Sequence, residues 1–488
     1  MSDRSTLNKE ESLDPTDWGE MRALAARMVD DMLEYLRTVR ERPVWRPLPA
    51  DLPKEFQRPL PRIPRPLEEV YSDFKKNVLP FPTGNIHPRF WGWVMGNGTV
   101  TGMLAEMLAA GFNPNQGGGA QAGNLVEMQV ISWCKEMLGF PPSASGLLVS
   151  GGSMASLVGL TVARNTRAGY DIREAGVSGA PRPLRFYAST EVHSCIQKAM
   201  ELLGLGRVAL RFIDVRPDFT IDIASLKRAI HEDRDRGTLP LCVIGCAGTV
   251  NTGAIDPLDE LADLCAEENL WFHVDGAFGA LAALAPDLRH LVKGMERADS
   301  IAFDMHKWMY LQYEVGCALV RDPDAHRNAF SLTPHYLEHT SRGIGGGEMW
   351  FSDYGVQLTR GFRALKVWMS LQEHGIDKFG RIVSQNVRQA AYLHRIVLAS
   401  PELEALAGVP LNIVCFRYRG SLTDSAALDA LNKELLLRLH EGGVAAPSYT
   451  VIDGKYALRV CITNHRSTES DFDMLVKEVV RLGKALEK

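Results

Sequence analysis

The sequence predicts an α/β protein built on a mostly parallel sheet, with a smaller α+β domain behind it, and three observations carry that expectation. From about residue 85 to 380, short β-rich apolar runs alternate with helical stretches, and strands joined by crossover helices make a mostly parallel sheet covered on both faces. Polar residues able to do chemistry stand just after several of those runs, at the carboxyl ends where such sheets collect ligands. Beyond about 380 the order changes to β-α-β-β-α, which marks a separate mixed unit.

The first element in chain order is an amphipathic helix from Asp17 to about Arg40, where Met21, Leu24, Ala25, Met28, Met32 and Leu36 recur at three and four residues. Ten prolines then fall between Pro43 and Pro82, a stretch that cannot be helical throughout and is expected to run extended over a surface. Val44, Trp45, Leu48, Leu52 and Phe56 are interleaved with those prolines. They favour packing on the protein itself or on a sister subunit over service as a ligand for a proline-binding module. Gly146–Ser150, Leu184–Ala188, Arg207–Ile213, Leu241–Cys246, Leu270–Val274, Ser300–Phe303 and Gly316–Val320 read as strands. Met154–Asn165, His193–Leu203, Ile223–Glu232 and Leu258–Glu268 read as the helices between them. The C-terminal part reads as a strand at Leu411–Tyr418, a helix at Ser425–His440, a hairpin turning at Asp453-Gly454, and a helix from Ser470 to Leu486 capped by Thr468 or Ser470. The expected division is an N-terminal helical and proline-rich arm (1–85), a large domain (86–380) and a small α+β domain (381–488). No internal repeat stands out.

Composition narrows the function class. The 54 Lys+Arg against 59 Asp+Glu give a formal net charge of −5 over 488 residues, so nothing in composition points to nucleic acid, which would want a basic excess. No run reaches the roughly 18 uninterrupted apolar residues of a membrane span; the nearest, Met103–Phe112, carries Glu106. The opening residues lack the basic, apolar and small-residue order of a signal peptide, so the chain reads as soluble and cytoplasmic. Eight cysteines are scattered without a paired framework, and Cys242 and Cys246 lie in an apolar run; they read as core thiols of a reducing compartment, with no metal site.

Four strand-end features fit one ligand. Ser150-Gly151-Gly152-Ser153 opens a helix directly after a strand, where close backbone approach and free N–H groups suit a phosphate. His193 follows a second strand, Asp275 closes a third in His273-Val274-Asp275-Gly276-Ala277, and Lys307 follows a fourth in Asp304-Met305-His306-Lys307-Trp308. Each has an ordinary structural reading: a tight turn, a helix cap, a paired carboxylate, a lysine that snorkels to solvent. Together they are what pyridoxal 5′-phosphate requires. A desolvated lysine amine bonds its aldehyde, a carboxylate keeps its ring nitrogen protonated so that the ring accepts electrons from the substrate Cα, and a histidine stacks on the ring.

These motifs, with His87-Pro88-Arg89-Phe90-Trp91-Gly92 and the Arg360–Trp368 stretch, resemble the group II pyridoxal-phosphate decarboxylases, which include the aromatic-L-amino-acid, histidine and glutamate decarboxylases. The resemblance covers nearly the whole chain. It implies the aspartate aminotransferase-like fold (type I) and an obligate homodimer joined through the N-terminal arm. It also implies Lys307 as the cofactor-bonding lysine with His306 beside it, Asp275 on the ring nitrogen, Ala277 and His193 on the two ring faces, and Gly151, Gly152 and Ser153 on the phosphate with Asp304 and Thr249 nearby. Two positions depart from the family pattern: Asp304 stands where relatives often carry asparagine, and Cys246 where some carry threonine.

Decarboxylation must be completed by delivery of a proton to Cα. In the relatives a loop tyrosine reaches the active site, often the partner's, and Tyr336 occupies that position ahead of the glycine run Gly343–Gly347; aldehyde synthases of the family tend to carry phenylalanine there. The resemblance places His87, Phe90, Trp91 and Arg459 near the substrate. Arg459 would serve an acidic substrate or form a structural ion pair, whereas Trp91 and Trp93 suit an aromatic one. The resulting expectation is an L-amino-acid decarboxylase releasing an amine and carbon dioxide, with an aromatic substrate favoured. The rival readings are an acidic substrate, a decarboxylating aldehyde synthase, a carbon–carbon lyase of phosphorylated amino alcohols, and a silent cofactor-binding homologue.

Overall fold

The structure, a computed structural model, describes residues 11–332, 340–347 and 349–487. Its contacts divide it into two units, residues up to 43 with 47–82, and 44–46 with 83 onward.

In the first unit the predicted helix forms as Trp18–Arg37, and Asp17 caps it, its Oδ1 accepting from the N–H of Gly19 at 2.7 Å and of Glu20 at 3.0 Å. The proline-rich stretch is not extended throughout. Between Pro66 and Pro80 no proline interrupts the chain, and Leu67–Asn77 is helical there; a single turn, Leu52–Glu55, has Pro53 in its first turn, where its missing N–H costs nothing. The Tyr71 hydroxyl donates to Asp31 at 2.7 Å, and Arg27 pairs with Glu68, joining the two long helices. Of the apolar residues between the prolines, Leu52 is buried while Leu48 and Phe56 stay exposed.

The strands of the second unit are β1 (Phe90–Trp91), β2 (Ser145–Val149), β3 (Leu184–Ser189), β4 (Leu210–Ile213), β5 (Leu239–Cys246), β6 (Trp271–Asp275), β7 (Ser300–Asp304), β8 (Gly316–Val320), β9 (Leu403–Ala405), β10 (Ile413–Tyr418), β11 (Ala446–Ile452) and β12 (Lys455–Cys461). The large sheet has the order β2-β8-β7-β6-β5-β3-β4. All its pairings are parallel except those of β8, which runs antiparallel to both β7 and β2. Consequently β2, β3, β5, β6 and β7 all end on one edge. Their near-continuous burial is what helices on both faces demand. Pro240 in β5 cannot donate to a ladder, and the pairing with β3 slips by one residue between Arg185 and Phe186 to accommodate it.

One expectation changes here: the predicted strand from Arg207 begins with a 3-10 turn, Arg207–Ala209, before β4. Asp275 and Lys307 are separated by three 3-10 turns, Gly279–Leu284, Arg289–Val292 and Met295–Arg297, and β7. Pro286 and Gly294, the latter at φ 94°, interrupt any longer helix in that stretch.

The small sheet runs β1-β11-β12-β10-β9. Its β11–β12 hairpin turns at Asp453 and Gly454, both at positive φ (48° and 77°), as a two-residue hairpin turn requires. Helices Ser425–Glu441 and Glu469–Leu486 pack against it, and Thr468 with Asp471 forms a capping box at the start of the latter. No helix among the described residues is long and apolar enough to cross a membrane.

Candidate active site

The shared edge of β2, β3, β6 and β7 brings the four features together. After β2, the helix Gly152–Arg167 starts with no side-chain cap, so its first N–H groups remain open to a ligand. The close packing leaves no room for a side chain at Gly152: a Cβ there would lie 2.9 Å from Asp304 Oδ2 and 3.3 Å from the Ala277 Cβ. After β3, His193 caps the helix Ser194–Leu202, with the Cys195 N–H donating to its Nδ1 at 3.2 Å. That fixes Nδ1 as the acceptor and leaves the proton on Nε2. At the end of β6, Asp275 is buried and accepts from the Ala277 N–H at 3.1 Å. At the end of β7, Asp304 starts the turn Met305–Trp308, and its Oδ2 lies 2.8 Å from Lys307 Nζ and 3.8 Å from His306 Nε2. His306 Nδ1 lies 3.2 Å from both the N–H and the carbonyl oxygen of Val315, and its Nε2 faces Asp304.

These groups surround a cleft of about 630 Å³, within the range of small-molecule sites. Gly151, Gly152, Ser153, His193, Asp275, Ala277, Asp304, His306 and Lys307 all line it. Burial raises the pKa of the Asp275 carboxyl, against the pull of Lys307 and His193. Burial lowers both His193 and His306, so both rings rest neutral. For Lys307, burial acts to lower the pKa, but Asp304 and Asp275 outweigh it and hold the ammonium above its ordinary value. Burial pushes the Cys195 thiol up to about 12, so it stays protonated at neutral pH.

Five other singled-out residues lie outside this cleft. Thr249 is turned into its own loop, its hydroxyl accepting from the Ala254 N–H at 3.1 Å and lying 3.2 Å from the Thr252 hydroxyl. His87 is buried and accepts from the Arg89 N–H at 3.0 Å. Phe90 packs with Val44 and Ala446. Trp91 stacks on Phe472 at 5.0 Å and donates to Ser467 Oγ at 3.1 Å. These last three build the small sheet's edge rather than a substrate wall in the same chain. Arg459 donates from Nη1 to the Trp93 carbonyl at 2.8 Å and from Nε to the Asn251 carbonyl at 3.2 Å, while Nη2 is buried with no partner among the described residues. Tyr336 lies outside the described residues. Conversely, Met154, Cys195, Tyr313 and Glu314 line the cleft without having been singled out. Cys195 follows His193 by two residues. Tyr313 enters through the turn after Lys307, which no local pattern announces; its ring lies 4.8 Å from that of His306, and its hydroxyl accepts from the Gly96 N–H at 3.0 Å.

The residues present fit pyridoxal 5′-phosphate. An uncapped helix start in a cradle that a Cβ would fill suits the phosphate, a buried acid suits the ring nitrogen, and a lysine can bond the aldehyde. Asp304 Oδ1 is buried without a partner among the described residues, a polar atom left over for a ligand or water to satisfy.

Comparison with known proteins agrees. A family model described as the pyridoxal-dependent decarboxylase conserved domain matches residues 49–419. An aromatic-L-amino-acid decarboxylase of Bacillus atrophaeus is 34% identical over 468 residues, 95% of each chain. A phenylacetaldehyde synthase of Arabidopsis thaliana is 28% identical, covering 92% of this chain and 93% of its own. The crystal structure of TDC from Oryza sativa with PLP and tryptamine superposes with a TM-score of 0.90 at 25% identity, covering 98% of this chain and all of its own.

Proposed function

Because the chain belongs to the pyridoxal-dependent decarboxylase family, as a carboxy-lyase of fold type I that uses pyridoxal phosphate, we propose that it decarboxylates an aromatic L-amino acid to the amine and carbon dioxide. One observation carries the choice of substrate. Among the described residues the cleft lining holds a single cation, Lys307, which the cofactor claims, and it offers the phenol ring of Tyr313 and the carboxylate of Glu314. An acidic side chain would find no second cation in that lining to pair with, and Glu314 is itself already paired with Arg363 at 3.7 Å. An aromatic side chain finds a ring to pack on. The aromatic-L-amino-acid decarboxylase among the relatives supports the same reading.

When bound, the cofactor offers an aldehyde for covalent attachment and a ring that accepts the electrons released at the substrate Cα. The N–H groups of Gly151, Gly152 and Ser153 would hold its phosphate. Asp275, a buried acid, would keep a proton on the ring nitrogen. His193 and Ala277 would pack against the ring. Asp304 steers the Lys307 amine by the 2.8 Å contact. Tyr336 delivers the proton to Cα, closing the reaction as an amine.

The relationship to a phenylacetaldehyde synthase favours one rival, decarboxylation coupled to oxidation. A screen of the common amino acids, L-DOPA and 5-hydroxytryptophan for carbon dioxide, with peroxide assayed in the same wells, decides. Carbon dioxide without peroxide from an aromatic substrate is the expected result. Carbon dioxide with peroxide would make the protein an aldehyde synthase, and release from glutamate or aspartate would overturn the substrate assignment. The protein is also proposed to act as a homodimer: the first unit leaves Trp18, Phe56, Leu60, Ile63 and Val70 exposed, apolar surface of the kind a subunit partner covers. Sedimentation at micromolar concentration should give twice the 54.0 kDa of one chain.

A further inference from the structure

Asn386, on the helix Ile376–Leu398, lies outside the cleft and is fully buried, yet it holds the turn that carries Lys307. Its Oδ1 accepts from the Trp308 indole N–H at 3.0 Å and from the Tyr310 hydroxyl at 2.8 Å. Its Nδ2 donates to Gln389 Oε1 at 3.0 Å and to the Asn464 carbonyl at 3.3 Å. The orientation of the amide follows from its partners, because an indole can only donate and a carbonyl can only accept. All four hydrogen-bonding positions of the side chain are therefore used. Gln389 continues the network by donating to the Ser467 carbonyl at 2.8 Å, so the residues directly after Lys307 are tied to the Asn464–Ser467 segment that follows β12.

The turn needs such a hold. Tyr310 adopts a left-handed backbone conformation, φ 58°, which costs a bulky residue free energy and persists only when its surroundings over-determine it. Its N–H donates to the Lys307 carbonyl at 3.2 Å, and its ring meets that of His465 edge-on at 5.5 Å. Trp308 is fully buried and contacts Phe278 at 6.0 Å between ring centroids, next to Ala277 in the cleft. We propose that Asn386 is a positioning residue for Lys307: by binding Trp308 and Tyr310 through one oxygen it fixes the turn from which the lysine reaches the cofactor. The inference rests on the reading of Lys307 as the cofactor-bonding lysine.

Three variants test it: Asn386→Leu, the milder Tyr310→Phe, which removes one of the two bonds and alters no packing, and Asn432→Ala as a stability control. Asn432 is an equally buried asparagine that bonds Tyr418 and Leu428 in the small sheet's unit, away from the cleft. Affinity for added pyridoxal phosphate and the rate of borohydride fixation to the protein are measured on each, with the labelled peptide mapped. Asn386→Leu, which loses both bonds to the turn, is expected to weaken cofactor affinity and slow fixation by about tenfold or more, with Tyr310→Phe, which loses one of them, in between. The double variant should be no worse than Asn386→Leu alone. Asn432→Ala should lower the melting temperature while leaving both quantities within about twofold of the parent. If Asn386→Leu and Tyr310→Phe also stay within about twofold, or if Asn432→Ala matches them, Asn386 is a structural residue only. If the parent protein is labelled elsewhere than Lys307, the reading of the site fails and this inference with it.

Discussion

Lys307 stands where two carboxylates act on one amine, Asp304 at 2.8 Å and Asp275 in the same cleft, and among the described residues no other member of the cleft lining is an amine. Lys307→Ala should therefore abolish borohydride-stable attachment of pyridoxal phosphate, which mass spectrometry of the reduced protein checks; a variant still labelled in the cleft would remove Lys307 from its role. Tyr336→Phe is expected to slow amine formation by about a hundredfold, the usual reach of a positioned acid, and to divert product to aldehyde with peroxide. An unchanged product ratio would place the proton donor elsewhere. At this scale the sequence is informative where a reactive side chain ends an apolar run, as at Asp275, Asp304 and Lys307, because the strand itself announces the edge. It is silent where entry to the cleft depends on how a turn folds, as for Tyr313 and Glu314. Nor does it show which way a loop hydroxyl turns, as for Thr249, held by the Ala254 N–H in its own loop.

The start of the helix Gly152–Arg167 gives a test in which local propensity and ligand fit pull apart. Alanine is favoured over glycine in a helix by up to about 1 kcal/mol, which offsets part of the cost of the contact it makes, so Gly152→Ala should lower the cofactor-free protein's melting temperature only modestly. The new methyl would lie 2.9 Å from Asp304 Oδ2 and 3.3 Å from Ala277, so it displaces the acid that steers Lys307 and crowds the phosphate cradle. Affinity for pyridoxal phosphate is expected to fall by about tenfold or more; titration of the visible absorbance measures it, and unchanged affinity would mean that the phosphate binds elsewhere. The elements themselves were readable where periodicity is long, as in the helices Trp18–Arg37 and Ser425–Glu441 and the hairpin at Asp453-Gly454. Strand direction was not. The run Gly316–Val320 looks like its parallel neighbours, but the connection from β7 holds only a single helical turn, and a parallel return needs a crossover of a dozen residues or more. Strands as short as β1 and β9 carry no pattern to read.

Across the whole molecule, burial of neutral histidines should set the response to acid. His273 is pushed down to about 3 by burial, and His326 and His465 to about 4; His193, His306 and His440 are lowered in the same direction, each chiefly by burial. The unfolded chain takes up these protons near 6.5, whereas the folded chain refuses them until the lower values. Their stabilising contribution is thus complete above 6.5 and is lost as the pH falls through that window. Buried carboxyls act the other way. Asp256, raised to about 6 by burial, contributes most below 3.8 and loses that contribution as the pH rises through 6, and Glu127, Asp275 and Asp299 share its direction. The histidines outnumber them, so the cofactor-free protein should lose stability on going from pH 7 to 5. His326 isolates one proton of that slope. Its Nδ1 lies 2.8 Å from the Ser145 hydroxyl and its Nε2 2.8 Å from the Tyr354 carbonyl, an acceptor and a donor that the amide of glutamine also offers. His326→Gln should therefore keep the fold at pH 7 while flattening the dependence of unfolding free energy on pH by about 1.4 kcal/mol per pH unit between 4 and 6.5. Denaturant unfolding at half-unit pH steps measures both slopes, and parallel curves for the two proteins would show that His326 enters the folded state already protonated.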